Sequence, residues 1–184
     1  MGSYKHGKPN EEMDIEELRH AIEKGSFTRP FLHKSYVAAL YWIGARRTEP
    51  LQVRKEDVQL KDGALHVTIP AFKHGERGGE IVLPLEWFGV QLILERWKHT
   101  RPCQRLWPFS TSTAWRIIKR LWPKRTPRWL RYNRITKLRK LRDQKVIDTD
   151  AIKSWTGIKR DATIEGYGLK TQEKIQAVAE AMSE

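Results

Sequence analysis

The stretch Val58-Gln-Leu-Lys-Asp-Gly-Ala-Leu-His-Val-Thr-Ile69 decides the fold class of this chain. Apolar and polar side chains alternate on both sides of the Lys61-Asp-Gly63 turn, as they do in a hairpin with one buried face. A later run, Ile81-Val-Leu83, alternates in the same way after a second, Gly-rich turn at 74–79. The sequence therefore predicts a small three-stranded antiparallel sheet.

Helical patterns lie on both sides of this sheet. Asp14 is a predicted N-cap, and Glu17 is placed as in a capping box, for a helix that Gly25 and Pro30 end. Apolar residues at helical spacing and prolines at the joints define the other helices. They are predicted at 31–43, where Gly44 ends the helix, and at 85–99, 112–122, 131–142, 149–155 and 171–182. The fold class is therefore mainly α, an α+β domain with a small antiparallel sheet.

Positive charge is concentrated in one part of the chain. The 184 residues carry 35 Lys or Arg against 22 Asp or Glu, a net charge of +13. Between Arg96 and Lys145 there are 17 basic residues and one acid, Asp143, so the rest of the chain is slightly negative. Trp and Tyr side chains interleave with this charge, which favours a face that follows a phosphate backbone over a generally basic surface. These aromatics are Trp97, Trp107, Trp115, Trp122, Trp129 and Tyr132.

Several classes of protein are excluded by composition. The single cysteine, Cys103, excludes an internal disulfide framework and a multi-Cys zinc site. The six histidines lack the spacing of metal ligands, and no apolar run approaches the roughly 18 residues that a membrane span needs. We therefore expect a cytoplasmic protein without a metal site and with a polyanion as its partner. Residues 1–10 are expected to form an N-terminal arm or to be left by cloning.

Four separated segments resemble motifs of the tyrosine recombinases, the integrase and Xer-type family. Ile43-Gly-Ala-Arg46-Arg-Thr-Glu49-Pro-Leu51 resembles "TGLRxSELLxL", and the hairpin with Lys73, closed by Ile81-Val-Leu-Pro84-Leu, resembles the family's catalytic hairpin. Thr126-Pro-Arg128-Trp-Leu-Arg131-Tyr-Asn-Arg-Ile-Thr136 resembles "TPHxLRHxxAT". Trp155-Thr-Gly157-Ile158, followed by Thr163 and Tyr167, resembles "LLGHxxxxTTxxY".

The resemblance covers about residues 11–184, with the segments in the family's order. The runs 106–109 and 114–119 are most similar to integrases of archaeal viruses and plasmids. The resemblance implies a recombinase catalytic domain, without the usual N-terminal domain that closes around DNA. It also implies strand cleavage through a 3′-phosphotyrosine, with neither metal nor ATP as a cofactor.

The resemblance also implies roles for individual residues. Tyr167 is the candidate nucleophile, Arg46 and Arg131 are the candidate phosphate clamps, and Lys73 is the candidate general acid. Glu49 is expected to orient Arg46 as its buried partner.

Some of these assignments have rivals within the chain. A slip of one place would put Arg47 in the position of Arg46, although Gly44 and Glu49 favour Arg46. His74 and Arg77 compete with Lys73. Arg134 competes with Arg131, because the loop from Arg134 to Gly157 matches the usual length better.

The chain departs from the family pattern at two positions. Arg128 stands where the family usually has His, and Ile158 stands where it has a second His or a Trp. Arg128 can donate hydrogen bonds to a phosphate, whereas Ile158 can neither donate nor accept. Lys159 could reach the site in place of Ile158, or that donor is lost.

Double-stranded DNA is the expected partner. Arg47, Arg116, Lys119 and Arg134 are the expected DNA contacts, and the helix at 171–182 is expected to dock on a neighbouring copy in dimers or tetramers on DNA. Two other functions remain open at this point. One is a catalytically impaired DNA-binding relative, and the other is a basic RNA-binding or nucleoid protein, which exposed tryptophans would favour.

Overall fold

The computed structural model describes residues 13–70, 79–156, 158 and 160–165. In this part of the chain, one three-stranded sheet accompanies seven α-helices, as the sequence predicts for a mainly helical α+β domain. The helices are α1 Ile15–Lys24, α2 Pro30–Ile43, α3 Val90–Lys98, α4 Thr111–Leu121, α5 Pro127–Asp143, α6 Thr149–Thr156 and α7 Asp161–Glu165. The strands are β1 Val58–Lys61, β2 Ala64–Thr68 and β3 Glu80–Pro84.

The sheet confirms the prediction from the hairpin stretch. Its strands are antiparallel in the order β1-β2-β3. Lys61 pairs with Ala64 across a two-residue turn in which Asp62 and Gly63 both have positive φ, 47° and 72°. Because such a turn matches the twist of the strands, it fixes the register locally. Leu65 pairs with Leu83, and both side chains are buried.

The helix ends follow the predicted signals in part. The Asp14 carboxylate accepts a hydrogen bond from the Glu17 backbone N–H at 2.7 Å, as predicted for an N-cap. The Glu17 carboxylate, however, pairs with Arg125. Gly25 ends α1, but Pro30 does not: it is the first residue of α2, a position at which a missing N–H costs nothing.

Two helices begin at least four residues away from the predicted start, and one helix was not predicted. The helix expected from residue 85 begins only at Val90, because 85–89 form turns and Gly89 has a φ of 82°. The helix expected from residue 131 begins four residues earlier, with Pro127 in the first turn. The five-residue α7 is not predicted, and the helix expected at 171–182 lies outside the described residues.

The main core forms around α2, which packs against α1, α3 and α5. A second, smaller apolar cluster joins the C-terminal half of α5 to α6 and α7. Its buried members are Ile135, Leu138, Ile152, Ile158 and Ile164.

Most of the tryptophans face inward, contrary to the expected aromatic DNA-facing surface. All eight lie in the described residues, and only Trp115 is exposed, at 41%. Trp107, Trp122 and Trp129 are buried. An amphipathic helix turns its apolar face toward the core and its charged face toward solvent. Aromatic and basic residues that alternate in the sequence therefore lie on opposite faces of the helix.

Candidate active site

The turn that follows α2 brings Arg46 and Glu49 together. The Glu49 carboxylate accepts hydrogen bonds from the Arg46 backbone N–H at 2.7 Å and from Arg46 Nη1 at 2.8 Å. The Glu49 side chain is 12% exposed, whereas that of Arg46 is 62% exposed. Glu49 therefore holds the Arg46 side chain, and the positive end of Arg46 is left at the surface.

Arg131 lies behind this pair, on α5. Its side chain is 3% exposed, and its Nη1 atom is 3.7 Å from Glu49 Oε2. The same Nη1 donates to the Gly44 carbonyl at 3.0 Å, and Nη2 donates to the Thr156 carbonyl at 3.3 Å. The Glu49 carboxylate thus faces Arg46 and Arg131, which come from widely separated segments. The Thr156 carbonyl, at the end of α6, holds Arg131. Paired guanidinium groups of this kind are suited to binding a phosphate through several oxygens.

The base of the second hairpin lies against the same region. A Cβ atom added to Gly79 would be 1.8 Å from the Ser154 carbonyl oxygen, so the two backbones are in close contact. Ser154 is two residues from Thr156, which holds Arg131. The start of β3, next to Gly79, therefore lies beside the candidate site. Lys73, Lys159 and Tyr167 lie outside the described residues.

The two positions that depart from the family pattern differ in their surroundings. The Arg128 guanidinium is exposed and lies 5.5 Å from the centre of the Tyr132 ring, one turn along α5. Ile158 is 6% exposed and belongs to the second apolar cluster, while its backbone N–H donates to Thr156 Oγ1. Residue 158 thus carries a side chain that packs in an apolar cluster and cannot donate a hydrogen bond.

Arg134 lies apart from the carboxylate. Its guanidinium carbon is 4.8 Å from the centre of the Trp155 ring and 5.6 Å from those of Trp42 and Trp87. We call these three rings the tryptophan cage. Desolvation in the cage lowers the pKa of Arg134 to about 10. Of the two rivals, Arg131 is the one beside Glu49, and Arg134 is enclosed rather than presented to DNA.

Gly44 packs closely against the Arg134 stem, so a side chain at residue 44 is expected to destabilise the fold. Gly44 has a φ of 64°, and an added Cβ would lie 2.6 Å from Arg134 Cγ. We expect Gly44→Ala to lower the free energy of unfolding in urea by about 2–4 kcal/mol, from left-handed strain plus overpacking. Gly63→Ala is the matched control, because φ is 72° there but the added Cβ would touch nothing. Equal losses in the two variants would contradict the close packing of Arg134.

The other predicted DNA contacts lie at or near the surface. Arg47 and Arg116 are exposed, and Lys119 is half-buried, with Nζ donating to the Pro123 carbonyl at 2.8 Å. Further exposed cations accompany them in the segment of concentrated positive charge. These are Lys98, Arg101, Arg105, Arg120, Lys124, Lys140 and Lys145. The predicted basic surface is thus present, although only Trp115 adds an exposed indole to it.

Two arginines on α5 fix α7 in place. Glu165, the last residue of α7, accepts from Arg139 Nη2 at 2.7 Å and also pairs with Arg142. The hydrogen bond from Arg142 is the main reason that the pKa of Glu165 lies below its ordinary value. Glu165 precedes Tyr167 by two residues, so the Cα atoms of the two residues can be no more than about 7 Å apart.

This pairing predicts a pH-dependent contribution to stability. Because the Glu165 pKa is lower in the folded state, its contribution is complete above the unfolded value and is lost as the pH falls through the folded value. We expect Glu165→Gln to reduce the free energy of unfolding at pH 7 by roughly 0.5–1 kcal/mol, and the difference from the parent to shrink in strong acid.

Urea titrations at neutral and acid pH test this, with Glu16→Gln as the control. Glu16 pairs with Arg19 at 3.4 Å on the surface of α1, and its side chain is 69% exposed. A Glu165→Gln loss that stays constant as the pH falls would argue against the ion pairs as its cause.

Comparisons with known proteins identify the fold. No protein-family model and no curated protein sequence matches the chain. Among solved structures, XerH site-specific recombinase bound to palindromic difH substrate aligns over 100% of this chain and 56% of its own, with a TM-score of 0.70 and 17% identity. XerA recombinase aligns over 93% of this chain and 64% of its own, with a TM-score of 0.65 and 18% identity. Both solved proteins are tyrosine recombinases.

The fold is that of tyrosine recombinase catalytic domains. A lambda integrase dimer bound to a COC′ core site is also similar, with a TM-score of 0.56 and 16% identity. The chain spans 54–64% of the lengths of XerH, XerA and this lambda integrase. In the described residues, no helix is long and apolar enough to cross a membrane.

Several groups around Arg131 and Arg134 have no signal in the sequence. The Gly44 and Thr156 carbonyls hold Arg131, but a backbone carbonyl has no sequence signature, and Gly44 is predicted as a helix end and as a marker of the Arg46 register. The tryptophan cage is likewise unpredicted, since its rings come from three distant segments. Arg134 itself gave one usable signal, because a basic residue three positions after Arg131 falls near the same face of α5.

Proposed function

We propose that this chain is the catalytic domain of a site-specific DNA recombinase or integrase, which cleaves and rejoins DNA through a 3′-phosphotyrosine without metal or ATP. The observation that carries the proposal is the cluster of Arg46, Glu49 and Arg131 within a tyrosine recombinase fold. A solved neighbour with this fold is described as bound to its DNA substrate before cleavage. The similarity of 106–109 and 114–119 to archaeal integrases supports an origin in a mobile element.

The proposed reaction is a phosphoryl transfer that conserves bond energy. The Tyr167 hydroxyl oxygen attacks the phosphorus of a DNA strand, its proton passes to solvent, and the bond from phosphorus to the 5′ oxygen breaks. Lys73 gives a proton to that leaving oxygen. A DNA 5′-hydroxyl later attacks the phosphotyrosine and releases the protein. Since one phosphodiester replaces another through a phosphotyrosine ester, no nucleotide cofactor is consumed.

The cluster supplies the fixed cations that this reaction needs. Negative charge on the non-bridging oxygens grows as the tyrosine attacks, and preorganised guanidinium groups stabilise it without reorganisation of solvent. Arg46 is exposed enough to meet a phosphate, while Arg131 forms the floor beneath it. The negative charge of Glu49 offsets the repulsion between the Arg46 and Arg131 guanidinium groups.

A second candidate function is a DNA-binding relative with little or no turnover. It is favoured by Ile158, which packs in an apolar cluster where a hydrogen-bond donor is the family pattern. Loss of one such donor lowers a rate by about 10²–10³. We expect this enzyme to be slow for that reason. An RNA-binding protein that stacks bases on its tryptophans needs exposed indoles, and most of the tryptophans here face inward, which does not favour that function.

Covalent trapping on DNA tests the proposed function. The protein is incubated with a pool of nicked duplexes of randomised sequence, in which a cleaved strand end diffuses away, and the products are separated on a denaturing gel. We expect a protein–DNA band that survives denaturant and is removed by protease. Salt-sensitive binding to the same duplexes with no covalent band would instead support the impaired relative.

A further inference from the structure

Arg134 is a half-buried residue whose guanidinium is held by rings rather than by a carboxylate. Its Nε atom is buried and has no hydrogen-bond partner among the described residues. The indoles of Trp42 and Trp87 stack on each other with centres 4.4 Å apart, and Trp42 Nε1 donates to the Phe88 carbonyl at 2.8 Å. Two walls of the tryptophan cage are therefore fixed within the main core. The third, Trp155, comes from α6.

The contacts of Arg134 lead to the two carbonyls that hold Arg131. Gly44 packs on the stem of Arg134, and its own carbonyl accepts from Arg131 Nη1. Trp155 packs on the Arg134 guanidinium, and the next residue, Thr156, accepts from Arg131 Nη2. One side chain thus touches both segments on which the position of the Arg131 guanidinium depends.

Arginine chemistry suits this role better than an apolar side chain would. A desolvated cation is attracted to the face of each indole, and a planar guanidinium can meet three rings at once. The charge is tolerated in the cage only while the rings surround it, since a buried cation without them is costly. The attraction therefore draws Trp155, and with it the end of α6, toward the fixed rings of the core.

We infer that Arg134 is a positioning residue of the candidate active site, which orients Arg131 by holding Gly44 and Trp155 through the tryptophan cage. This inference rests on the proposed function for its effect on catalysis, but not for its effect on Arg131. It also replaces the expectation that Arg134 contacts DNA. Arg134 touches no reacting atom in this role, and its influence passes through the two carbonyls.

The two roles predict different consequences for Arg134→Met. Methionine fills similar space and packs well on aromatic rings, so the core is preserved while the charge and the planar contact are lost. If Arg134 is a positioning residue, the substitution makes the Arg131 guanidinium more mobile and leaves the affinity for duplex DNA unchanged. If Arg134 instead contacts DNA, the substitution lowers the affinity for duplex DNA and the salt dependence of binding, and the Arg131 side chain is unaffected.

Nuclear magnetic resonance of ¹⁵N-labelled arginine side chains measures Arg131 directly in the DNA-free protein. Signals from the Nη protons of Arg131 are assigned by their absence in Arg131→Lys. We expect these protons to exchange with water at least about tenfold faster in Arg134→Met than in the parent, because the enclosing carbonyls are no longer held. Arg120→Met, at an exposed site on α4, is the matched control and should leave them unchanged.

A second variant keeps the test valid if Arg134→Met does not fold. Trp155→Leu removes one wall of the cage without altering α5, and it should release Arg131 in the same way. Fluorescein-labelled duplex of random sequence gives the affinity, and pooled nicked duplexes give the rate of adduct formation. We expect the rate in Arg134→Met to fall about 10- to 100-fold, as misplaced catalytic groups do, with the affinity within error of the parent.

The outcomes separate this inference from the proposed function. Release of Arg131 in the variants supports the positioning role, even if the parent protein forms no adduct and the proposed function fails. Unchanged Arg131 signals in both variants overturn the positioning role, whether or not adducts form. A loss of duplex affinity in Arg134→Met with unchanged Arg131 signals overturns it in favour of a DNA contact.

Discussion

Replacing Arg131 with lysine is expected to lower the rate of covalent DNA adduct formation by about 10²–10³, the usual effect of losing a preorganised donor. Lysine keeps a cation near Glu49, so the charge of the cluster is preserved. It cannot, however, reach the Gly44 and Thr156 carbonyls and present two parallel N–H groups to a phosphate, as a guanidinium fork does. The measurement is the single-turnover rate on nicked duplexes.

The control for this prediction is Arg29→Lys, at an exposed arginine that precedes α2 and lies outside the segment of concentrated positive charge. It changes the same chemistry on the surface and should leave the rate of adduct formation unaltered. Equal rates of adduct formation in the parent and in Arg131→Lys would show that Arg131 does not bind the reacting phosphate.

Replacing Glu49 with alanine is expected to have the largest effect on stability. Glu49 is the buried carboxylate that faces both Arg46 and Arg131, and Arg131 is itself almost fully buried. Removing one partner of a buried ion pair leaves the other uncompensated, at a cost of about 3–5 kcal/mol. We expect a loss of this size in the free energy of unfolding in urea.

Glu86→Ala is the matched control for Glu49→Ala. Glu86 lies exposed in the turn between β3 and α3, so its removal should change stability by no more than about 0.5 kcal/mol. If Glu49→Ala were as mild as Glu86→Ala, the carboxylate would not be the centre of the cluster.

Local signals allowed much of the fold to be predicted. The Asp62-Gly63 turn, the Asp14 N-cap and the Gly44 helix end each depend on a few adjacent residues whose backbone preferences are strong. The start of α3 was missed, because the apolar spacing of 85–89 resembles a helix and only Gly89 interrupts it. The five residues of α7 are too few to establish a helical period.

Packing between distant segments decided what local signals could not. Arg131 and Arg134 are both basic residues on α5, and basic side chains are usually exposed. The structure places one beside Glu49 and the other in the tryptophan cage, a difference that depends on α2, α6 and the turn before α3. The sequence likewise could not show that Ile158 would join a buried cluster with α5 and α7.

Peptide mapping of the covalent adduct shows which residue becomes linked to DNA. Trypsin should release residues 161–170 as one peptide, in which Tyr167 is the only tyrosine. We expect the DNA-derived phosphate on this peptide, at Tyr167, and no adduct with Tyr167→Phe. A phosphate on any other residue, or an adduct that persists in Tyr167→Phe, would contradict the proposal that Tyr167 is the nucleophile.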